Sequence, residues 1–210
     1  MGDYTRTTVA VLAQQALSWA ANAPMLIGGD IDVDQYIGGV VTICKGKTQT
    51  TADLTAGLAF IELQASGDAA VDDWWTVRKF IPTGGAANTL AIDATIAAAE
   101  VILTTGAVVE ATWPAGNRVF ITDATNEATN SEWGMIADCD TDADESVTLV
   151  DGLKFAKASG DDVYDLADVW SCGMDFSGVK RIRVVAANRG ASGGHWVLRA
   201  DLTGMTMEID

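Results

Sequence analysis

The sequence predicts an all-β chain: a discontinuous, jelly-roll-like β-sandwich with a small antiparallel β-barrel or sheet module inserted into it. Three observations carry that prediction. Short apolar runs with period-two alternation recur between clusters of turn-formers, as they do in antiparallel sheets. The blocks on either side of the middle each hold too few strands to close a sandwich, while together they give roughly eight, the count of a double-sheet jelly roll. No internal repeat and no Pro-rich or charge-block linker separates the blocks, which favours an insertion over a string of independent units. The expected division is residues 1–85 plus 166–210 for the sandwich and 86–165 for the insert.

Taken in order, Thr7–Leu12 favours a strand, whereas Ala13–Ala23 is Ala-rich enough for one helical turn within an extended segment. Asp30–Asp34 alternates strictly, placing three carboxylates on one face and Ile31 and Val33 on the other. Tyr36–Lys45 reads as a strand with a weak point, a candidate bulge, at Gly38-Gly39. Leu58–Ala65 follows, then a turn at Ser66-Gly67-Asp68, then the strand Trp74–Ile81, closed by Pro82 and Gly84-Gly85. Leu90–Ile92 and Glu100–Thr104 are short strands, with a helical turn expected over Ala94–Ala99. Arg118–Thr122, Glu132–Cys139 and Ser146–Leu149 make the core of the insert, and Asp161–Asp165 leads out of it. Val169–Met174, Val179–Ala187 and His195–Asp201 complete the sandwich, and a short run, Met205–Ile209, ends the chain.

Apolar residues make up 49% of the 210, which rules out a disordered acidic tail. A net charge of −16 argues against nucleic acid and against anionic membrane surfaces, both of which call for clustered Lys and Arg. No apolar run is long enough to span a bilayer, and Met1–Gln15 lacks the features of a secretory signal. Cys44, Cys139 and Cys172 are odd in number and sit in apolar runs, so buried free thiols are the favoured reading, with a single disulfide the alternative. Synthesis in a reducing cytoplasm is expected.

Candidate chemistry is sparse. His195 is the only histidine, so any Ser–His–Asp or Cys–His device has to pass through it. Its place beside Trp196 at the expected start of a strand marks it as an edge or surface residue. Asp138–Glu145 clusters carboxylates of the kind calcium favours. Counted as an EF-hand loop, however, it holds Ala143 where Gly is needed and Leu149 where Glu is needed, so a solvated acidic hairpin tip is the better reading. No phosphate-binding loop, CxxC pair or multi-histidine set occurs. No catalytic residue, metal or cofactor is therefore expected, and an acidic hydrolase ranks last among the readings.

Trp74 and Trp75 carry more information. Neighbours on a strand point to opposite faces, so one indole is expected in the core and the other outside. The outer ring would be a sugar-stacking platform or an interface anchor; coverage of both rings by a loop or by the insert is the plain alternative. Trp113, Trp133, Trp170 and Trp196 read as core or inter-domain packing.

The insert's pattern runs from Pro114-Ala115-Gly116 through Val119–Thr122 and Asn130–Gly134 to Ser146–Leu149 ahead of Asp151-Gly152-Leu153. It resembles the small β-modules recurrent in tailed-phage virion proteins. The flanks, Phe60–Ser66 with Asp72-Asp73-Trp74 and later Arg181–Val185, resemble strands of galactose-binding-like jelly rolls, which phage particles also reuse. The resemblance implies a structural virion component: a capsid decoration protein, or a head–tail or tail accessory part. It implies other virion subunits as partners, the major capsid protein first, a homo-oligomer at a symmetric lattice point, and a virion location after synthesis in the host cytoplasm. A carbohydrate-binding or host-adhesion module, motivated by the same jelly-roll likeness and by Trp74-Trp75, is the second reading.

Overall fold

The computed structural model describes residues 3–19, 24–46, 58–83, 88–105, 113–140, 145–165, 167–189 and 194–208. Among the described residues, fourteen strands fall into three antiparallel sheets. Eight of them build the sandwich. They are β1 (Asp3–Trp19), β2 (Pro24–Asp32), β3 (Gly38–Gly46), β4 (Ala59–Ser66) and β5 (Trp75–Phe80), joined by β12 (Asp168–Asp175), β13 (Arg181–Asn188) and β14 (Gly194–Glu208). One sheet has the order β1-β14-β3-β12 and the other β2-β13-β4-β5. The first of the eight pairs with the last, the second with the seventh, the third with the sixth and the fourth with the fifth. That nesting of antiparallel pairs is a hairpin rolled into two facing sheets, the jelly roll.

The alternation of each strand fills the space between the sheets. Ile61, Leu63 and Ala65 of β4 lie opposite Ala186, Val184 and Ile182 of β13 and are fully buried, as are Trp196, Leu198, Ala200 and Leu202 of β14. Val41 and Ile43 of β3 and Val33 complete this core.

The remaining strands form the insert. β6 (Thr89–Ala91), β7 (Ile102–Thr104), β8 (Arg118–Ile121), β9 (Glu132–Asp140), β10 (Ser146–Leu149) and β11 (Asp162–Tyr164) pair in the order β6-β11-β8-β9-β10-β7. A bridge between Ile92 and Thr105 joins the two edge strands, helped by Asp93 N–H donating to the Thr104 carbonyl at 3.0 Å, so the sheet curls towards a barrel. It has its own core, with Leu103, Val119, Ile121, Val147 and Val163 fully buried. One helical turn, α1 (Glu127–Asn130), lies between β8 and β9.

The insert rests on the outer face of the β1-β14-β3-β12 sheet. Phe120 and Val197 are fully buried against each other's neighbourhood, with Ala167, Trp133 and Tyr164 around them. The Phe120 ring lies directly on the backbone of Gly46, where any Cβ would collide with it. The register shift between Leu12 and Gln15 sets Ala13 and Gln14 of β1 against one residue of β14, a bulge. From that bulge the Gln14 amide donates to the carbonyls of Ser131 (2.7 Å) and Glu127 (3.3 Å).

Several sequence expectations need correction. Gly38-Gly39 is no bulge, since pairing runs unbroken through both residues on both sides. Gly39 is instead a close approach, where a Cβ would sit 2.6 Å from the Thr203 carbonyl oxygen. Ala94–Ala99 forms no helical turn: Ile96 bridges to Lys157, and Ala99 has a φ of 72°. Backbone pairing with the 153–157 segment wins over the helix propensity of alanine there. Ala13–Trp19 is extended as expected and without the helical turn, because β14 supplies a partner along its length, and positions 20–23 lie outside the described residues. Met205 onwards is no separate run but the continuation of β14, paired with Asp3–Arg6. All three cysteines are free thiols as expected, yet only Cys172 is buried.

The neck of the insert is held by two carboxylates. Asp168 accepts hydrogen bonds from Thr83 N–H (3.0 Å) and Thr83 Oγ1 (2.6 Å) on the entering chain, and from the Lys45 ammonium (3.2 Å) on β3. Asp165 accepts from Asn88 N–H (2.7 Å) and Nδ2 (2.6 Å). Lys45 is fully buried, and burial pulls its pKa below the usual lysine value while Asp168 pulls the other way. Asp168→Asn keeps the shape but leaves the ammonium without its nearest carboxylate. It is expected to cost about 3 kcal/mol at neutral pH. A lysine whose folded-state pKa is depressed loses its proton first in the folded form. Stability then rises with pH from that depressed pKa up to the unfolded value near 10.5. Urea titrations should therefore show the deficit of Asp168→Asn shrinking as pH is raised towards 10.5.

Candidate functional site

Neither Trp74 nor Trp75 enters the core. β5 is an edge strand that overhangs the sandwich, and only Phe80 in it is buried. Trp74 precedes the strand and is half-buried on the outer side of the β2-β13-β4-β5 sheet. Its Nε1–H donates to Asp72 Oδ1 at 3.1 Å. The Arg183 guanidinium lies 4.0 Å from its ring centroid and that of Arg181 4.9 Å. Trp75 pairs with Ala65 at the sheet edge and stays 45% exposed, and Val77 (38%) and Ile81 (55%) are exposed further along the same edge.

The alternation that buries Ile61 and Leu63 places Phe60, Glu62 and Gln64 on this outer face. Phe60 is covered by cations: Lys79 Nζ is 3.6 Å from its ring centroid and the Arg189 guanidinium 5.4 Å. Arg78 lies 5.7 Å from Phe80. Arg183 Nε donates to Gln64 Oε1 at 2.9 Å, while Arg181 is bound to Asp30 and to the carbonyls of Asp68 and Val71. That pairing holds the Asp30 carboxyl below the usual carboxylate range. Stacking on aromatic rings thus replaces ion pairing for most of the cations here. The surface is aromatic and carries both signs of charge, with Glu62 opposite Lys79 and Asp30 and Asp72 beside Arg181.

A second feature is a cleft of about 320 Å³ between the insert and the jelly roll, lined among others by Gln14, Cys44, Arg118, Glu132, Lys154 and Arg199. Its carboxylates are engaged. Glu132 accepts from Lys154 N–H (2.8 Å), Phe155 N–H (3.3 Å) and the Lys157 ammonium (3.2 Å), and Asp201 accepts from Arg199 Nε at 2.7 Å. Burial, reinforced by Asp201, pushes the Cys44 thiol up to about 11.

Among the described residues no three His, Cys, Asp or Glu side chains come together as a metal site. Asp138 and Asp140 lie on β9, and positions 141–144 of the acidic hairpin fall outside the described residues. His195 sits in β14 opposite Ser18 of β1. Sequence reasoning missed the cation–aromatic stacks, although a signal existed: the Arg-Ile-Arg-Val pattern over 181–184 places Arg181 and Arg183 on one strand face. The cleft left no such signal, because its walls come from segments far apart in the chain.

Fold and surface together define a double-sheet jelly roll that carries a second β-unit on one wall and an aromatic face with stacked cations on the other. No family model and no curated protein matches the chain. Among solved structures, VP17, a capsid protein of bacteriophage P23-77, is 8% identical with a TM-score of 0.20, covering 96% of this chain and 97% of its own. The complex of VP16 and VP17, the two major capsid proteins of the same phage, is 6% identical with a TM-score of 0.21, covering 96% and 100%. Likeness at that level carries no argument about this chain.

The raised pKa of Cys44 keeps it a thiol at neutral pH. Since the thiolate is the reactive form, its alkylation should climb about tenfold per pH unit between 8 and 10. Peptide mass spectrometry after timed iodoacetamide exposure reads this directly, and a rate already flat at pH 8 contradicts it.

Proposed function

We propose that this chain is a non-enzymatic structural protein of a bacteriophage virion, decorating the capsid by binding other capsid subunits, the major capsid protein first. In this reading residues 1–85 plus 166–210 form the body and 86–165 the inserted domain. The observation that carries it is the division of labour between the two walls of the jelly roll. One wall is covered by the insert; the other ends in an edge strand that exposes Trp75, Val77 and Ile81 beside a row of cations. Exposed aromatic and aliphatic anchors with a charged rim are the anatomy of a protein interface, and jelly rolls are common in viral capsid domains. A head–tail or tail accessory position uses the same surface and differs only in partner.

Mass spectrometry of purified particles tests the role. The protein is expected in particles at structural copy number, in the tens to hundreds expected of a symmetric lattice component; detection in lysate alone ends the idea. Particles assembled without it should form but lose heat resistance if it decorates the shell. A failure to form any particle makes it a shell-building subunit instead.

A carbohydrate-binding module is the second reading, favoured by the open indole of Trp75. Because guanidinium groups already stack on Trp74, a sugar ring would use Trp75. Glycan-array binding lost in Trp75→Ala and little changed in Trp74→Ala supports this, and an array with no signal removes it.

A further inference from the structure

Strand alternation aims a small set of polar side chains into the cleft between the insert and the jelly roll. On β14, Leu198 and Ala200 fill the sandwich, which leaves Arg199 on the outer face. Arg199 registers with Cys44 of β3, and Cys44 in turn with Val169 of β12. The bulge of β1 sets Gln14 beside Arg199 at the other end of this rung. Val169, Cys44, Arg199 and Gln14 therefore make a floor that crosses the whole sheet. The roof comes from the insert. Val119 and Ile121 point into the barrel core, so Arg118 shares the opposite face of β8 with Phe120, the face that rests on the jelly roll. Lys154 and Phe155 follow the buried Leu153, and with Arg118 they close the cleft of about 320 Å³ over that floor.

The charges lining this cleft do not balance. Glu132 is taken up by the Lys157 ammonium and two backbone N–H groups, and Asp201 by Arg199. Among the described residues Arg118 and Lys154 pair with no carboxylate, and Asp151, in the neighbouring depression, forms an ion pair with neither. Two uncompensated cations on one cleft stand out in a chain with 29 acidic and 13 basic residues. Both, like Arg199, lie near enough to Cys44 to favour its thiolate against the effect of burial. A guanidinium fork and an ammonium point charge match the oxygens and the double charge of a phosphate monoester. Phe155, 38% exposed, and the half-buried Val169 offer apolar surface to its organic part. The volume is at the lower end of that of small-molecule sites.

We propose that the cleft between the insert and the jelly roll binds a small phosphate monoester, its phosphate held by Arg118 and Lys154 and its organic group against Phe155 and Val169. The ligand touches both walls, so binding fastens the insert to the body. This site is independent of the virion role and involves no reaction of the ligand.

Isothermal titration calorimetry of the full chain with phenyl phosphate, inorganic phosphate and benzyl alcohol tests the proposal. Phenyl phosphate is expected to bind with a Kd on the order of 1 mM or below, inorganic phosphate about tenfold more weakly, and benzyl alcohol not at all. Arg118→Gln and Lys154→Gln should each weaken phenyl phosphate about tenfold, the loss of one charge-assisted contact. Timed iodoacetamide alkylation at about pH 9 locates the ligand, because Cys44 lines the cleft and Cys139 does not. At about ten times its Kd, phenyl phosphate should slow alkylation of Cys44 about tenfold, in proportion to the unliganded fraction, and leave Cys139 unchanged. Each variant is compared with and without ligand, so that its own effect on the thiol cancels, and at the same ligand concentration both should lose most of the protection. Should Arg118→Gln disturb β8, Lys154→Gln alone carries the comparison. No binding of phenyl phosphate at about 10 mM overturns the proposal. So does binding that the variants retain or that leaves Cys44 unprotected, since the anion then sits elsewhere. Inorganic phosphate binding as tightly as phenyl phosphate overturns the assignment of an organic ligand.

Discussion

Two carboxylates at the neck, Asp165 and Asp168, are what allow one chain to be a jelly roll and a barrel at once. The insert leaves the sandwich between β5 and β12, strands that lie in different sheets. Its entry and exit strands, β6 and β11, pair with each other, and the carboxylates fasten that ladder to the sandwich. Asp168 binds Thr83 on the way in and Lys45 on β3, and Asp165 binds Asn88. The β6-β11 ladder and these bonds together offset the loop-closure entropy of the middle segment. With them the insertion becomes a local event at a pinned point.

The same residue type does a quieter job elsewhere. Asp68, Asp123 and Asp175 each accept hydrogen bonds from backbone N–H groups two or three residues ahead, and all three are held below the usual carboxylate range. Asp161 ties Ala124 and Ala158 to one carboxylate. Part of the acidic composition is thus turn chemistry, in which side-chain oxygens stand in for missing backbone partners. Carboxylates of the insert do the same work: Asp138 accepts from Cys139 N–H, Glu132 from Lys154 and Phe155 N–H, and Asp165 from Asn88 N–H.

Much of the architecture could be read in the sequence because alternation is a direct record of burial on each strand. Ser146–Leu149 matches its observed strand end to end, and Arg118–Thr122 and Glu132–Cys139 differ by a residue at one terminus. The failures share a cause, in that tertiary partners override local preference. Alanine at 94–99 favours a helix in isolation, but pairing to Lys157 and Leu153 costs the chain less. Gly38-Gly39 reads as weakness because a lone strand gives no hint of Thr203 pressing on it from β14. The candidate site was half legible. Trp74-Trp75 pointed to the right edge, yet alternation misled: Trp74 lies before the strand begins, and an edge strand that overhangs the sandwich has no core face to offer Trp75. Arginines separated by more than a hundred residues from the aromatic they cover leave no local trace.

The geometry of β5 also constrains how any partner engages this face. An open sheet edge invites strand addition, and proteins guard such edges with charge and bulges. β5 has both: the register shift between Leu63 and Gln64 interrupts its ladder at Val77, and Arg78 and Lys79 follow at once. A bulged, charged edge twists its free N–H and C=O groups out of line with an incoming strand. A partner must then engage the side chains on the sheet face and rim instead of extending the ladder.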